Sequence, residues 1–323
     1  MAVGSCGGGV SGACGRGVAG TGGLGLALGM GEDGGVIIEA WLGLAEGVRL
    51  VATDLDGTLL RADGSVSDFT VATFARARQA GLPVVFVTGR PPRWLPMVAE
   101  ATGHTGVAIG ANGGVVVDLA SGLILRAHPL EPSAIDEVVT TLRGEVPGIG
   151  FAAEWIGSGP DDTARDTDFA HEHAFVPRYV VGTPQTAADI RDIVKGHQVV
   201  KLLARVTGSG HDADSFLEHA LEHVEHLVTV THSNADDVLL EMSAYGVSKG
   251  STLAEHAESL GLTAADVAAA GDMPNDIPML TWARVGLGVD GGHARVLEVA
   301  DAVLPGPSHD GVARFVAAVL GAD

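Results

Sequence analysis

Arg49-Leu50-Val51-Ala52-Thr53-Asp54-Leu55-Asp56-Gly57-Thr58-Leu59-Leu60 is the stretch that decides the architecture. An apolar run that ends in Asp54 reads as a buried parallel strand, hydrophobic on both faces. Open α/β sheets bind ligands outside the carboxyl ends of their strands, so Asp54 and Asp56 project where chemistry is expected. Two carboxylates at one strand end can divide the labour. One attacks an electrophile, and the other donates and then removes a proton. Gly57 supplies a tight turn, and Thr58 fits the loop that follows.

Downstream the rhythm repeats. Ser67 to Ala80 predicts a helix, capped by Ser67, with Val71, Phe74 and Ala75 on one face. Leu82 to Val87 predicts a second buried strand. Thr88-Gly89-Arg90-Pro91-Pro92 follows it, with prolines suited to the start of a helix. Val107 to Gly110 predicts a third strand. The alternation defines an α/β fold, a doubly wound, mostly parallel Rossmann-like sheet. Near residue 127 the texture changes, with Pro129, Pro132 and Pro147 as punctuation. Helices are expected at 133–143, 187–195 and 213–226, and strands at 151–156, 176–181, 199–206, 228–230 and 238–242. This stretch, 127–241, reads as an inserted α+β cap domain between core segments 49–126 and 242–323. Past Tyr245 the α/β rhythm returns: helix 248–260, strand 267–270, helix 275–282, strand 285–288 and helix 310–320.

Residues 1–48 hold 17 of the 47 glycines and read as a flexible tail, because they cannot bury enough surface to offset the entropy of ordering. The whole chain has 323 residues, 46% of them hydrophobic, which is ample for two domains. Its formal charge of −21 leaves no electrostatic footprint for nucleic acid or for an anionic membrane surface. Its two cysteines, Cys6 and Cys14, allow no disulfide framework in the folded part. No apolar run reaches membrane-spanning length, and glycine breaks any signal-like segment, so a cytoplasmic protein is expected.

Three further segments carry chemistry. Gly271-Asp272-Met273-Pro274-Asn275-Asp276 again places acids after a strand. Carboxylates gathered near one point repel, and a hard divalent cation such as magnesium would resolve that. Thr88 offers a hydroxyl at another strand end. Lys249, one of only three lysines, opens a helix, where its ammonium and the helix N-terminus could both face an anion.

In this order the four segments resemble the haloacid dehalogenase superfamily. The details Thr88-Gly89-Arg90, Ala111-Asn112-Gly113, Gly246-Val247-Ser248-Lys249-Gly250 and Gly271-Asp272-Met273-Pro274-Asn275-Asp276 are similar to its Cof-type (class IIB) branch. The resemblance spans 49–323 and implies a phosphatase whose cap lies between Thr88 and Lys249. It implies Asp54 as nucleophile forming an aspartyl-phosphate, and Asp56 as acid and then base. It implies Thr88, Gly89 and Lys249 around the phosphoryl group, and magnesium on Asp54, the Asp56 carbonyl and Asp272, tightened by Asp276. Asn275 would bond into that loop. The pair Asp54 and Asp56 favours phosphate-ester chemistry, because dehalogenases and ion-pumping ATPases of the superfamily lack the second aspartate. His293 departs from the pattern, which usually has Asn before the Ala.

Asn112 either contacts the active site or merely turns the chain. Lys201 and Arg205 share a strand face with Leu203, and if that face looks towards the core either could bind the far end of a substrate. His219, His223 and His226 share a helix face, as do Glu218, Glu222 and Glu225 nearby; they read as a solvated face, since three ligands along one straight helix converge poorly. The expected substrate is a small phosphorylated metabolite, a sugar phosphate or related monoester. The alternatives are a phosphomutase, which would return an isomerised sugar phosphate, and a non-catalytic phosphometabolite sensor, which needs no nucleophile.

Overall fold

The molecule is built on two sheets, and a computed structural model describes residues 41, 43–157, 163–178, 184–208 and 210–321. In chain order the strands are β1 (Leu50–Thr53), β2 (Val84–Val87), β3 (Val107–Gly110), β4 (Val115–Asp118) and β5 (Ile124–Ala127). Then come β6 (Gly150–Ile156), β7 (Asp168–Glu172), β8 (Gln185–Ala187), β9 (Gln198–Arg205), β10 (Val228–Thr231) and β11 (Leu239–Ala244). The last are β12 (Val267–Gly271), β13 (Val285–Val289) and β14 (Ala302–Leu304).

The larger sheet has the order β14-β13-β12-β1-β2-β3-β4-β5. It is parallel from β14 to β3, and an antiparallel hairpin, β4 and β5, is appended at one edge. From β1 the chain winds outward through β2 and β3, then returns to the other side of β1 and winds outward through β12 to β14. The winding therefore reverses between β1 and β12, which is where open α/β sheets form their ligand crevice. Asp54 and Asp272 follow those two strands.

The inner strands β1, β2, β12 and β13 are buried on both faces, to which successive side chains point in turn. Leu50, Ala52, Val85 and Val87 face helices Lys249–Ser259 and Ile277–Trp282 through Leu253, Ala257, Met279 and Leu280. Val51 and Phe86 face helices Asp68–Ala80 and Gly311–Val319 through Phe74, Ala77, Val312 and Phe315. Helix Asp68–Ala80 starts where Ser67 accepts a hydrogen bond from the Thr70 amide, and it stops at Gly81 in the left-handed conformation.

The second sheet, β10-β11-β9-β6-β7-β8, is antiparallel except for the β7–β8 pair. One face carries Phe151, Ala153, Leu202, Ala204 and Met242 against helices Pro132–Glu145 and Ala213–Val224. The alternate positions Glu154, Lys201, Leu203 and Glu241 belong to the other face.

The structure corrects several expectations. Trp41, Ala45 and Val48 are buried in the core beside β1, so the packed chain begins before Val48; residues 1–40 lie outside the described residues. The second sheet continues to Ala244, past the boundary at 241, because β11 pairs with β9 and β10 along its length. Residues 176–178 carry no strand, and 179–183 lie outside the described residues. The helix expected from Ala187 begins only at Ile190, because Asp189 caps it and Gln185–Ala187 pairs with β7. The hairpin β4–β5 and the short β7, β8 and β14 had no sequence counterpart.

Candidate active site

Lys249 sits at the centre of the crevice. Its helix begins with Ser248, whose side chain accepts from the Ser251 amide, so Lys249 is the first helical residue. Gly250 beside it lets the helix close on the next one, where a Cβ would meet the Pro278 carbonyl oxygen at 2.4 Å. The Lys249 ammonium is buried and donates to Asp54 Oδ1 at 2.6 Å and Asp276 Oδ1 at 2.6 Å. Asp276 turns its other oxygen on its own loop, accepting from the backbone amides of Asp272 at 3.0 Å and Met273 at 2.9 Å. The Thr58 hydroxyl donates to Asp272 Oδ1 at 2.7 Å. Gly57, at φ +80°, lets the first loop pass the second, since a Cβ there would lie 2.2 Å from Asp272 Oδ2.

Oxygens of Asp54, Asp272 and Asp276 lie within 4.8 Å of one another, and the one ammonium among them pairs with only two, Asp54 and Asp276. The imbalance shows in their protonation. Burial pushes Asp54 well above the usual carboxylate range despite the pull of Lys249, and Asp276, Asp272 and Asp56 add repulsion. Asp272 is raised to about 7, first by burial and then by Asp276, against the Thr58 hydrogen bond and Lys249. Burial alone would lower Lys249, but the charges of Asp276 and Asp54 outweigh it and hold the ammonium above its ordinary range. An oxygen-lined pocket with surplus negative charge fits a hard divalent cation such as magnesium.

Asp56 and Thr88 stand beside this cluster. The exposed Asp56 carboxylate accepts from Arg90 Nε at 2.7 Å and from a terminal Arg90 nitrogen at 2.6 Å. Thr88 is buried; its hydroxyl accepts from the Arg90 amide at 3.1 Å, and its carbonyl accepts from the Asn112 amide at 3.0 Å. Asn112 adopts the left-handed conformation (φ 56°) and both turns the chain and makes contacts. It accepts from Asn275 Nδ2 at 3.0 Å and donates to Glu241 Oε2 at 2.6 Å. Asn275 therefore reaches across to a neighbouring loop.

The two candidates on β9 part company. Lys201 donates to the Gly89 carbonyl at 2.7 Å and pairs with Glu241 Oε2 at 2.5 Å, so it meets the crevice. Arg205 lies roughly 13 Å further along β9. It pairs with Asp237 at 2.6 Å, donates to the Val176 carbonyl and covers the Phe175 ring. It is engaged within its own sheet. His219 and His223 come within 4.8 Å of exposed Glu145, without His226.

Sequence reasoning did not assign roles to Arg90, Glu241, Ser233 or the Arg93–Glu154 pair, which spans 3.4 Å from the crevice rim to β6. A signal existed for Glu241: it is the lone acid in the run Leu239-Leu240-Glu241-Met242, as Lys201 is the lone cation in Val199-Val200-Lys201-Leu202-Leu203.

This geometry agrees with comparison to known proteins. The family of haloacid dehalogenase-like hydrolases matches residues 51–316. Pyridoxal phosphate phosphatase YbhA of Escherichia coli (strain K12) is 25% identical over 280 residues, covering 83% of this chain and 97% of its own. The 5-amino-6-(5-phospho-D-ribitylamino)uracil phosphatase YcsE of Bacillus subtilis (strain 168) is 26% identical over 273 residues, covering 83% and 94%. Among solved structures, a haloacid dehalogenase-like hydrolase from B. subtilis superposes with a TM-score of 0.68 at 22% identity, covering 83% of this chain and 99% of its own. The subclass IIB sugar phosphatase BT4131 gives a TM-score of 0.64 at 16% identity, covering 83% and 97%.

The chain belongs to the haloacid dehalogenase-like hydrolases, in the Cof-type branch. The family is one of hydrolases, and the two curated relatives above are named phosphatases.

Proposed function

We propose that the protein is a magnesium-dependent phosphatase of small phosphorylated metabolites, sugar phosphates foremost, acting through a phosphoryl group carried on Asp54. The observation that carries this reading is the cluster of Asp54, Asp272 and Asp276 around the buried Lys249 ammonium. Oxygens of Asp54, Asp272 and Asp276, with the Asp56 carbonyl, would hold the magnesium. When bound, it supplies positive charge that quiets the carboxylates and the phosphate oxygens. Thr88, the Gly89 loop and Lys249 hold the phosphoryl oxygens and stabilise charge as it builds.

An Asp54 oxygen attacks phosphorus, the bond to the leaving oxygen breaks, and Asp56 delivers a proton to that oxygen. Asp56 then takes a proton from water, whose oxygen attacks phosphorus; the bond to Asp54 breaks and free phosphate leaves. Asp56, with both oxygens on Arg90, is an acceptor only, so it turns from Arg90 to carry its proton. The second sheet acts as a cap that excludes water and selects the leaving group, with Lys201 at the crevice and Asn275 bracing the loop through Asn112. Relatives named for pyridoxal phosphate and for a phosphoribitylaminouracil support a small-metabolite substrate.

The test is phosphate release from a panel of phosphorylated metabolites, with and without magnesium. Magnesium-dependent release names the substrate class. An isomerised sugar phosphate without free phosphate would make the protein a mutase. Binding with neither product would make it a sensor.

A further inference from the structure

A second convergent cluster adjoins the loop of the crevice acids without using them, and the His293 amide donates to the Asp272 carbonyl at 2.8 Å. Asp214, in the first turn of helix Ala213–Val224, meets His232, just past β10, and His293, in the loop after β13. His232 Nε2 lies 2.9 Å from Asp214 Oδ1, and His293 Nε2 lies 3.2 Å from Asp214 Oδ2. One ligand atom from each residue falls within 4.8 Å of the others. The two rings meet edge to face at 6.0 Å. His232 is fully buried, and its Nδ1 has no hydrogen-bond partner. Its Nε2, the nitrogen aimed at the cluster, is therefore the ring's only polar engagement.

We propose that Asp214, His232 and His293 form a binding site for a zinc-class divalent cation, beside the magnesium acids but sharing none of them, that ties the second sheet to the loop after β13. The donor set decides the metal. Two imidazole nitrogens and one carboxylate suit zinc, cobalt or nickel, whereas magnesium takes oxygens. Ligand atoms on a tetrahedral ion at about 2.0–2.1 Å stand roughly 3.3 Å apart; the two imidazole–carboxylate contacts, on separate Asp214 oxygens, are 2.9 and 3.2 Å. Three ligands leave a fourth position for water, and the Asp214 carboxylate is 43% exposed, which gives the ion its entry. The rival group of Glu145, His219 and His223 takes both histidines from one helix and has no buried member.

The test uses the full chain, stripped of metal and held in millimolar magnesium to occupy the crevice acids, and titrated with zinc alone. One zinc is expected to bind the wild type and Asp54→Asn alike, and cobalt is expected to give the intense visible bands of a tetrahedral site. His293→Asn weakens zinc by at least about tenfold, as removal of a ligand should exceed loss of an outer-shell partner. Zinc on Nε2 puts the ring proton on Nδ1, so His293 gives up the acceptance from the Arg295 amide that caps its helix when it binds the ion; Asn can supply that cap, so the variant should fold. Asp214→Asn is the second variant. Zinc raises the melting temperature of the wild type but of neither variant. The proposal is overturned if zinc binds His293→Asn and Asp214→Asn as it does the wild type, if the double variant His219→Gln, His223→Gln loses it, or if no zinc binds.

Discussion

Two buried lysines meet carboxylates in this molecule, with opposite results. Lys201 meets a single acid: Glu241 binds the ammonium with Oε2, which also accepts from Asn112, and takes the Ser233 hydroxyl on Oε1. Burial pushes Glu241 up, but the Lys201 charge and the hydrogen bonds of Lys201, Ser233 and Asn112 win and hold it below the usual range. Lys249 meets an excess of acids, and Asp54 and Asp272 are driven up instead. The first pair is electrostatically complete and fastens the second sheet to the first. The second is incomplete, as the proposed site for a cation and a phosphate would be. A buried lysine on its own therefore says little; the count of acids around it separates a fastening from a reaction centre.

The sharpest way to break this comparison is to replace each lysine by Met. Lys249→Met should lower turnover by on the order of 10²–10³, the scale of losing a preorganised charge at the reacting group. Lys201→Met should leave turnover per folded molecule within about tenfold yet cost roughly 3–5 kcal/mol of stability in urea, because Glu241 is left as an unpaired buried charge. Equal loss of turnover in both would erase the distinction. Magnesium sharpens it further. At about 100 times its dissociation constant it should stabilise the wild type by roughly 2.7 kcal/mol. That gain should survive Lys201→Met and vanish in Asp272→Asn.

His104 provides a control outside both regions. It packs against Phe86 at 4.4 Å between ring centres, and burial lowers it to about 4. The unfolded chain, with an ordinary value near 6.5, binds more protons between those limits. Stability should therefore fall as pH drops from about 6.5 to 4, by up to roughly 3 kcal/mol, and level off below. His104→Phe should flatten that slope in thermal melts. The smallest effect is expected of Arg205→Ala. With Arg205 committed to Asp237 and Val176, the Michaelis constant should move by less than about twofold, or about 0.4 kcal/mol.

The central sheet was legible because each of its inner strands is a short apolar run with an acid, a Thr or a Gly at its end. Asp54, Asp56, Thr88 and Asp272 could be placed from that pattern alone, and the larger sheet follows it. What could not be read were contacts between distant segments. Arg90 holds Asp56 across two strand ends, and Glu241 joins Lys201 to Asn112 across both sheets; neither partner choice is encoded in spacing. Arg205 shares the face of Lys201 by periodicity, yet Asp237 and Phe175 claim it, and only folding reveals such competitors. Short edge strands such as β8 and β14 escaped because three residues carry too little pattern.

The central claim rests on Asp54. The most direct measurement is magnesium-dependent phosphate release by wild type and Asp54→Asn on the best substrate, with the acid-quenched enzyme mapped for a phosphoryl group. The account predicts that the wild type carries phosphate on the peptide containing Asp54 during turnover. It predicts that Asp54→Asn, folded and still binding substrate, falls by about 10⁴-fold or more, as loss of a nucleophile does. Turnover by Asp54→Asn near the wild-type rate, or a phosphoryl group on another residue, would contradict it.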